Sequence, residues 1–277
     1  MSNIGIIGYG IVGRATEHSF VAAPNLPQQH VFFRYDKFKA LNSLNDVIDR
    51  AEFIFICLPT PYKEGKIDLS IIDEVLKEIT PKTDNTNKVV IIKSSVVPGT
   101  TEQYSKQYPA TKFCFSPEFL TEKNFLYDAV HPDRLVVGAD QKDVGECVAA
   151  LYRQRFPSVP LFIVSSKAAE MSKYMANLML AAKVGLANEF FDACQVADIA
   201  YEDVCKVVAA DPRIGGSHLQ VTAERGFGGK CFPKDMIAFL GWCQEHEVVV
   251  DGLSALWERN LRTRQVYDWE DIPFVKS

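Results

Sequence analysis

The stretch Gly226-Phe-Gly-Gly-Lys-Cys-Phe-Pro-Lys-Asp235 gathers three glycines, two lysines, an aspartate and a cysteine. Without a Cβ, glycine lets the backbone turn sharply and come close to a ligand, and these glycines lead into Cys231. Pro233 suits the first turn of a helix, where its missing N–H costs nothing. The spacing therefore predicts a helix from about Pro233 toward Glu245, with Cys231 at its N-terminus. There the unsatisfied N–H groups and the helix dipole favour the thiolate, the form of cysteine that attacks carbonyls. Lys234 and Asp235 follow at spacings that return a cation and a carboxylate to the same corner. The alternative is a glycine-rich turn holding an incidental small hydrophobe, because single cysteines more often pack than react.

A second group opens the chain. An apolar run from Asn3 to Ile7 ends in Gly8-Tyr-Gly10-Ile11-Val12-Gly13, and the residues from Arg14 to Val21 follow with a helical pattern. A strand before GxGxxG and a helix after it form the context of a dinucleotide site. Gly8 would make the tight turn, Gly10 would admit the pyrophosphate to the backbone, and Gly13 would let helix and strand pack closely. The helix N-terminus receives the phosphate charge. A strand from Val31 to Tyr35 then ends at Asp36, whose carboxylate can accept from both ribose hydroxyls, which favours NAD over NADP. Arg34 and Lys37 flank it and would soften that preference.

Further candidates stand at strand ends and on one helix. Thr60, between Pro59 and Pro61, follows the apolar strand from Phe53 to Leu58. Ser95, in Ser94-Ser95-Val-Val-Pro98-Gly99-Thr100, follows the strand from Lys88 to Lys93. Both hydroxyls stand where open α/β sheets place ligands, although each reads equally as a turn or cap residue. In Ser116-Pro-Glu118-Phe119-Leu120-Thr-Glu122, a helical turn opened by Pro117 would put Glu118 and Glu122 on one face, where acids are also ordinary dipole partners. Lys173 and Asn177 have i,i+4 spacing. An ammonium and an amide one turn apart can hold the oxygen of an alcohol becoming an aldehyde, and a solvated helix face has the same pattern. Arg213 can pair a phosphate bidentately or simply a surface carboxylate.

The frame for these side chains is an alternation of strand and helix. A short helix is expected between Leu41 and Asp49, and longer ones from Ser70 to Ile79 and from Asp143 to Arg155. Further strands run from Thr111 to Phe115, Arg134 to Gly138 and Leu161 to Val164. This pattern predicts an α/β fold over residues 1–164: a doubly wound, mainly parallel Rossmann-type sheet. Beyond Ser165 and Ser166 the texture changes. One long central helix is expected from Lys167 to about Gln195, with Met171, Met175, Leu178, Ala182, Leu186 and Phe190 as its apolar stripe and with Lys173 and Asn177 off it. Helices from Tyr201 to Ala210 and from Asp251 to Tyr267 complete an all-helical domain over residues 165–277. The second of these carries Leu253, Leu256, Trp257 and Leu261 on one face, as core or subunit interface.

Composition narrows the function. The chain has 277 residues, 47% of them hydrophobic, and a net charge of −5 with no block of Lys or Arg, so neither nucleic acid nor an anionic membrane is an expected partner. Seven cysteines without a CxxC pair suit reduced thiols and not a disulfide frame or a metal site. No apolar stretch approaches the roughly 18 residues of a membrane span, and the start reads directly into a strand, so a cytoplasmic protein is expected.

Taken together, the motifs resemble the UDP-glucose/GDP-mannose dehydrogenase family, enzymes that oxidise the C6 alcohol of a nucleotide sugar to a carboxylate with two NAD. The resemblance runs from Asn3 to about Arg264. GYGIVG is common to many dehydrogenases, LPTP and KSSVVPGTT are narrower, SPEFLTE narrower again, and GFGGKCFPKD is the most distinctive. The resemblance implies Cys231 as the nucleophile of the second oxidation, with Lys173 and Asn177 steadying oxyanions. Asp235 would take part in proton transfer through a water shared with Ser95, and Glu122 would be the base for thioester hydrolysis. Glu118, Phe119, Leu120, Arg213 and Gly228 would line the nucleotide-sugar pocket, with Arg213 reaching across a homodimer formed by the helical domain. Lys234 would lie near the cofactor, beside Gly8, Gly10, Ile11, Val12, Gly13, Asp36 and Thr60. UDP-glucose oxidised to UDP-glucuronate, for polysaccharide biosynthesis, is the leading expectation.

Three departures stand out. The family continues into another Rossmann-like domain of over ~100 residues, whereas this sequence stops at Ser277. The segment between Asp36 and the Phe53 strand is short. The loop from Gly215 to Gly226 is long, and its His218, Gln220 and Arg225 are expected to take over nucleotide contacts. Two rivals remain open: a β-hydroxyacid or 6-phosphogluconate type dehydrogenase, which makes a single hydride transfer without a thiol, and a non-catalytic NAD-binding relative.

Overall fold

A computed structural model describes residues 2–21, 30–63 and 65–270 of the chain. The chain forms two compact units, Met1–Thr60 with Asp68–Lys173, and Pro61–Ile67 with Tyr174–Ser277.

The first unit begins with β1 (Ser2–Ile7), α1 (Ile11–Val21), β2 (His30–Tyr35), α2 (Leu44–Arg50) and β3 (Phe53–Ile56). After the hairpin β4 (Tyr62–Lys63) and β5 (Lys66–Ile67), which belongs to the other unit, come α3 (Ser70–Thr83), β6 (Val89–Ile92), α4 (Thr100–Gln107) and β7 (Lys112–Phe115). Then follow α5 (Phe125–Val130), β8 (Leu135–Gly138), α6 (Lys142–Arg155), β9 (Leu161–Val164) and the start of α7 (Ser166–Val196). The seven-stranded sheet has the order β2-β1-β3-β6-β7-β8-β9. Its first five members pair in parallel, while β8 meets β7 antiparallel and carries β9 parallel to itself. The expected mainly parallel, doubly wound sheet is therefore present. The strand order reverses beside β1, and such a reversal opens a crevice at the carboxyl ends of the strands.

Alternation along the strands explains why two layers of helices are needed. Ile54, Ile56, Val90 and Ile92 face one side, packed with Val47 and Ile48 of α2 and with Ile72, Leu76 and Ile79 of α3. Phe53, Phe55, Val89 and Ile91 face the other, with Phe20 of α1 and Val144, Val148, Leu151 and Tyr152 of α6. Each such aliphatic side chain contributes roughly 2 kcal/mol when removed from water. Only a sheet covered on both faces uses runs like FIFI and VVII, which are buried throughout.

The second unit contains the β4–β5 hairpin, the rest of α7, α8 (Tyr201–Ala209), α9 (Phe232–Glu245) and α10 (Asp251–Thr263). Its core joins Leu178 and Ala181 of α7 to Phe227, Met236, Leu253, Leu256 and Trp257. This corrects the expected stripe on the long helix: Met175, Leu186 and Phe190 are 64%, 54% and 62% exposed, and the buried side runs through Tyr174, Leu178 and Ala181. Helix α7 is apolar on both faces, so periodicity could not say which one is covered. The helix expected to reach Tyr267 ends at Thr263, and α4, α5 and the hairpin appear where no helix or strand was expected.

Helix α4 has no cap from its own sequence, since Gly99 occupies the N-cap position. The cap comes from α7: Glu170, fully buried, accepts from Gly99 N at 2.6 Å and Thr101 N at 2.8 Å. Burial pushes this carboxyl up to about 7, and the nearby Asp140 charge pushes the same way, against the N–H groups that favour the anion. A group raised in the folded state stabilises most below its ordinary value and loses that contribution as pH rises through 7. For Glu170 the loss is about 3 kcal/mol. Urea unfolding should therefore show Glu170→Gln with a flatter stability profile than wild type between about pH 5 and pH 8. Parallel profiles would show that Glu170 is ionised throughout.

Candidate active site

The glycine corner follows β1 directly. Gly8 has φ +91°, and a Cβ there would lie 2.4 Å from the carbonyl oxygen of Cys57 at the end of β3, so only glycine fits. A Cβ on Gly13 would meet Gly8 O at 2.1 Å, which is the close packing of α1 on β1. Around Gly10 nothing among the described residues lies within 4 Å of that position, leaving the backbone open where a pyrophosphate would approach the first residues of α1, Ile11 and Val12. Asp36 closes the corner, accepting from Tyr9 N at 2.9 Å and Phe38 N at 3.0 Å. Burial alone would raise its carboxyl, but these two N–H groups and Lys39 hold it below the usual range, so it is an anion with lone pairs to spare for a ribose diol. The two flanking cations are engaged elsewhere. Arg34 forks onto Glu17, which also accepts from the Tyr9 hydroxyl, and Lys37 faces Glu74 at 3.8 Å. The residues present fit NAD, and the softening expected from Arg34 and Lys37 has no support in this geometry.

The loops after β3 and β6 are stitched together. Thr60 Oγ1 donates to the Ser95 carbonyl at 2.8 Å, and Ser94 Oγ donates to the Leu58 carbonyl at 2.7 Å. Thr60 is buried in this role, and Ser95 is half-buried.

In the same unit Lys173 is buried and directs its ammonium to the Glu118 carbonyl at 2.7 Å and to Glu118 Oε1 at 2.8 Å. Burial pushes the Glu118 carboxyl up, but Lys173, the Leu120 N–H and Lys93 bring it below its ordinary value, so the pair is ionic. The ring of Phe119 lies under two cations, with the Arg134 guanidinium 3.7 Å and the Lys173 ammonium 5.6 Å from its centroid. The helical turn expected at Pro117 does not form. Leu120 N instead donates to the Glu118 carboxylate at 2.7 Å, a local bond that competes with helix, and no helix begins before Phe125. Glu118 and Glu122 are thus not a facing pair: the first is held by Lys173, the second is exposed in the turn before α5.

In the second unit Cys231 is the N-cap residue of α9, exposed, with Pro233 in the first turn as expected. One turn on, Asp235 is 1% exposed and accepts from Asn177 Nδ2 at 2.6 Å and from Lys234 Nζ at 2.7 Å. Lys173 and Asn177, expected off the apolar face of α7, are both buried and each is committed to a carboxylate. Gly228 and Gly229 lie in the loop just before the cysteine.

Other candidates belong elsewhere. The exposed Arg213 forks onto its neighbour Asp211 at 2.6 Å, the surface-carboxylate reading. Arg225 does not reach outward from the long loop: it bonds Asn188 at 2.8 Å and Asp192, over the Phe191 ring at 4.7 Å. His218 packs 5.7 Å from the Phe232 ring, and burial lowers its basicity. Sequence reasoning missed Lys93, whose ammonium reaches the carbonyls of Ser116 and Pro117 at 3.2 Å, and it missed Arg134. A cation at the carboxyl end of an otherwise apolar strand was the available signal for Lys93.

Removing the amide of Asn177 leaves Asp235 buried with one donor fewer. Asn177→Ala should lose about 2 kcal/mol in urea unfolding. Asn177→Asp places two carboxylates in contact, so its stability should fall more steeply than that of wild type as pH rises, with the difference between the two closing in acid.

Comparison with known proteins completes the description. Residues 28–156 match the model of the UDP-glucose/GDP-mannose dehydrogenase family, NAD binding domain, and residues 167–262 match that family's central domain. A UDP-glucose 6-dehydrogenase of Rickettsia felis is 32% identical over 231 residues, covering 81% of this chain and 51% of that protein. The chain thus spans about half the length of the curated relatives it matches. Among solved structures, a UDP-glucose dehydrogenase from Pyrobaculum islandicum superposes with TM-score 0.76 at 24% identity, covering 95% of this chain and 67% of that one. A 3-hydroxyisobutyrate dehydrogenase of Mycobacterium tuberculosis gives TM-score 0.74 at 13% identity, over 95% and 93%. At these identities the structures establish the fold alone. With both domains matched in order, and with Lys173, Asn177 and Cys231 all inside the central-domain match, the chain belongs to the UDP-glucose/GDP-mannose dehydrogenase family.

Proposed function

We propose that the chain carries the catalytic apparatus for NAD-dependent oxidation of a nucleotide-sugar C6 alcohol to the carboxylate, with UDP-glucose to UDP-glucuronate as the leading substrate pair. Residues 1–164 would form the cofactor domain, and residues 165–277 the helical domain that carries the cysteine loop. The observation that supports this most is the exposed thiol of Cys231 at the N-terminus of α9, one turn from a buried carboxylate. NAD, held at the glycine corner, supplies the hydride acceptor.

The residue types suit two successive oxidations. Loss of hydride from carbon and of a proton from oxygen turns the alcohol into an aldehyde. Asp235, with a water shared with Ser95, would pass on that proton. The Cys231 thiolate then adds to the carbonyl carbon, and the C=O electron pair moves to oxygen, giving a thiohemiacetal. Lys173 and Asn177 would stabilise the growing oxyanion. Loss of a second hydride from the same carbon would then leave a thioester on Cys231. Water, activated by Glu122, displaces the thiolate and releases the carboxylate. Glu118, Phe119, Leu120, Arg213 and Gly228 would line the sugar-nucleotide pocket, and Lys234 would lie near the cofactor. For Arg213 that role requires exchanging Asp211 for phosphate. The outward stripe of Met175, Met179, Leu186 and Phe190 on α7 supports a homodimer through the helical domain.

Likeness in fold to a single-step hydroxyacid dehydrogenase gives the rival reading, in which the thiol is idle. The test is NADH release over a panel of UDP- and GDP-sugars. The proposal expects two equivalents per sugar, and Cys231→Ala cutting acid formation by roughly a thousandfold or more. One equivalent per substrate, unchanged by Cys231→Ala, supports the rival. NAD binding without NADH release from any sugar nucleotide contradicts the proposal and favours a non-catalytic NAD-binding relative.

A further inference from the structure

The backbone ahead of Cys231 is held from a direction the glycine-rich sequence does not reveal. After α10 the chain turns back at Arg264, which is buried and extended, and residues 264–270 lie along the loop 224–229. Arg264 spends its guanidinium on four acceptors: Arg225 O at 3.0 Å, Val266 O at 2.9 Å, Glu224 Oε2 at 3.0 Å and Asp268 Oδ2 at 3.0 Å. Gln265 N donates to Glu224 O at 3.3 Å. The same Asp268 Oδ2 accepts from Gly229 N at 2.9 Å, two residues before the cysteine. Trp269, 2% exposed, stacks on Tyr267 at 4.9 Å and packs on Trp257 at 5.5 Å, and Trp257 in turn meets Phe227 at 6.0 Å.

Asn260 on α10 completes the hold. Its side chain accepts from Phe227 N at 2.7 Å and donates to Phe227 O at 3.0 Å, as a neighbouring strand would. Gly228 gains a local explanation from this arrangement. A Cβ there would stand 2.2 Å from the Arg264 guanidinium and 2.5 Å from Asp268 Oδ1, so the glycine admits the returning segment.

We propose that residues 264–270 are a strap that fixes the cysteine-bearing loop, with Asp268 as the positioning residue that sets Cys231 against the N-terminus of α9. Asp268 reaches the loop at one backbone N–H and is itself oriented by Arg264, whose other bonds hold the start of the same loop. The consequence for catalysis rests on the reading of Cys231 as nucleophile. The strap itself is tested without turnover.

The experiment compares the full chain with Asp268→Ala, Asp268→Asn and Arg264→Lys, each first shown to unfold cooperatively. Cys231 alkylation by iodoacetamide near neutral pH is followed by peptide mass spectrometry, with the exposed Cys147 of α6 as internal reference. Backbone hydrogen exchange is followed over peptides spanning 226–231. In Asp268→Ala the loop peptides should exchange about tenfold faster, and Cys231 should alkylate about threefold more slowly because the helix N-terminus no longer favours its thiolate as strongly. Asp268→Asn, which keeps an acceptor for Gly229 N–H, should restore both. Arg264→Lys, a cation without the fork, should behave like Asp268→Ala. A Cys231 to Cys147 ratio equal to or above wild type in both loosened variants overturns the strap. A wild type that releases no NADH leaves this ratio untouched, so failure of the functional reading is distinguishable from failure of the strap.

Discussion

A carboxylate with almost no access to water organises the helical unit. Asp235 lies in the first turn of α9, and an unpartnered charge there would cost several kcal/mol. It is tolerated because Asn177 and Lys234 donate to its two oxygens. The bond to Asn177 ties the first turn of α9 to α7, four residues after Cys231 caps that helix. The arrangement also accounts for an amide on the covered side of the helix, beside the buried Tyr174, Leu178 and Ala181.

The same logic recurs in the first unit, where Lys173 and Glu118 hold one another out of water and Glu170 caps a helix far along the chain. Three polar positions on α7, spaced three and four residues apart, thus serve carboxylate chemistry: Glu170 as acceptor, Lys173 and Asn177 as donors. A surface-facing reading of these residues would have been reasonable from spacing alone, and burial reverses it. The apolar side chains that would ordinarily form the core, Met175, Leu186 and Phe190, are displaced to the exposed face.

How far the sequence alone reached follows from the range of each interaction. The glycine corner, Asp36 at the end of β2 and the cysteine at the start of α9 were legible because their signals are local: a glycine at φ +91°, a proline in a first turn, an acid just past a strand. The sheet was legible because its central strands are apolar on both faces. The partners were not. Lys173 and Glu118 are 55 residues apart and Glu170 and Gly99 are 71 apart, and no periodicity links them. Glu118 in a helical turn and Arg225 reaching outward both failed for one reason, a nearby polar group offering a better bond than solvent. Arg34 beside Asp36 signals a weaker NAD preference in sequence, but its partner Glu17, 17 residues away, occupies it.

The proposed chemistry turns on a covalent bond to one sulfur, and that bond can be weighed. Acid quenching of the protein during turnover with NAD and UDP-glucose, followed by digestion and mass spectrometry of the peptide containing Cys231, measures it directly. The account predicts that this peptide, and no other cysteine peptide, gains the mass of the sugar nucleotide joined as a thioester. Steady release of NADH with the Cys231 peptide always unmodified would contradict it.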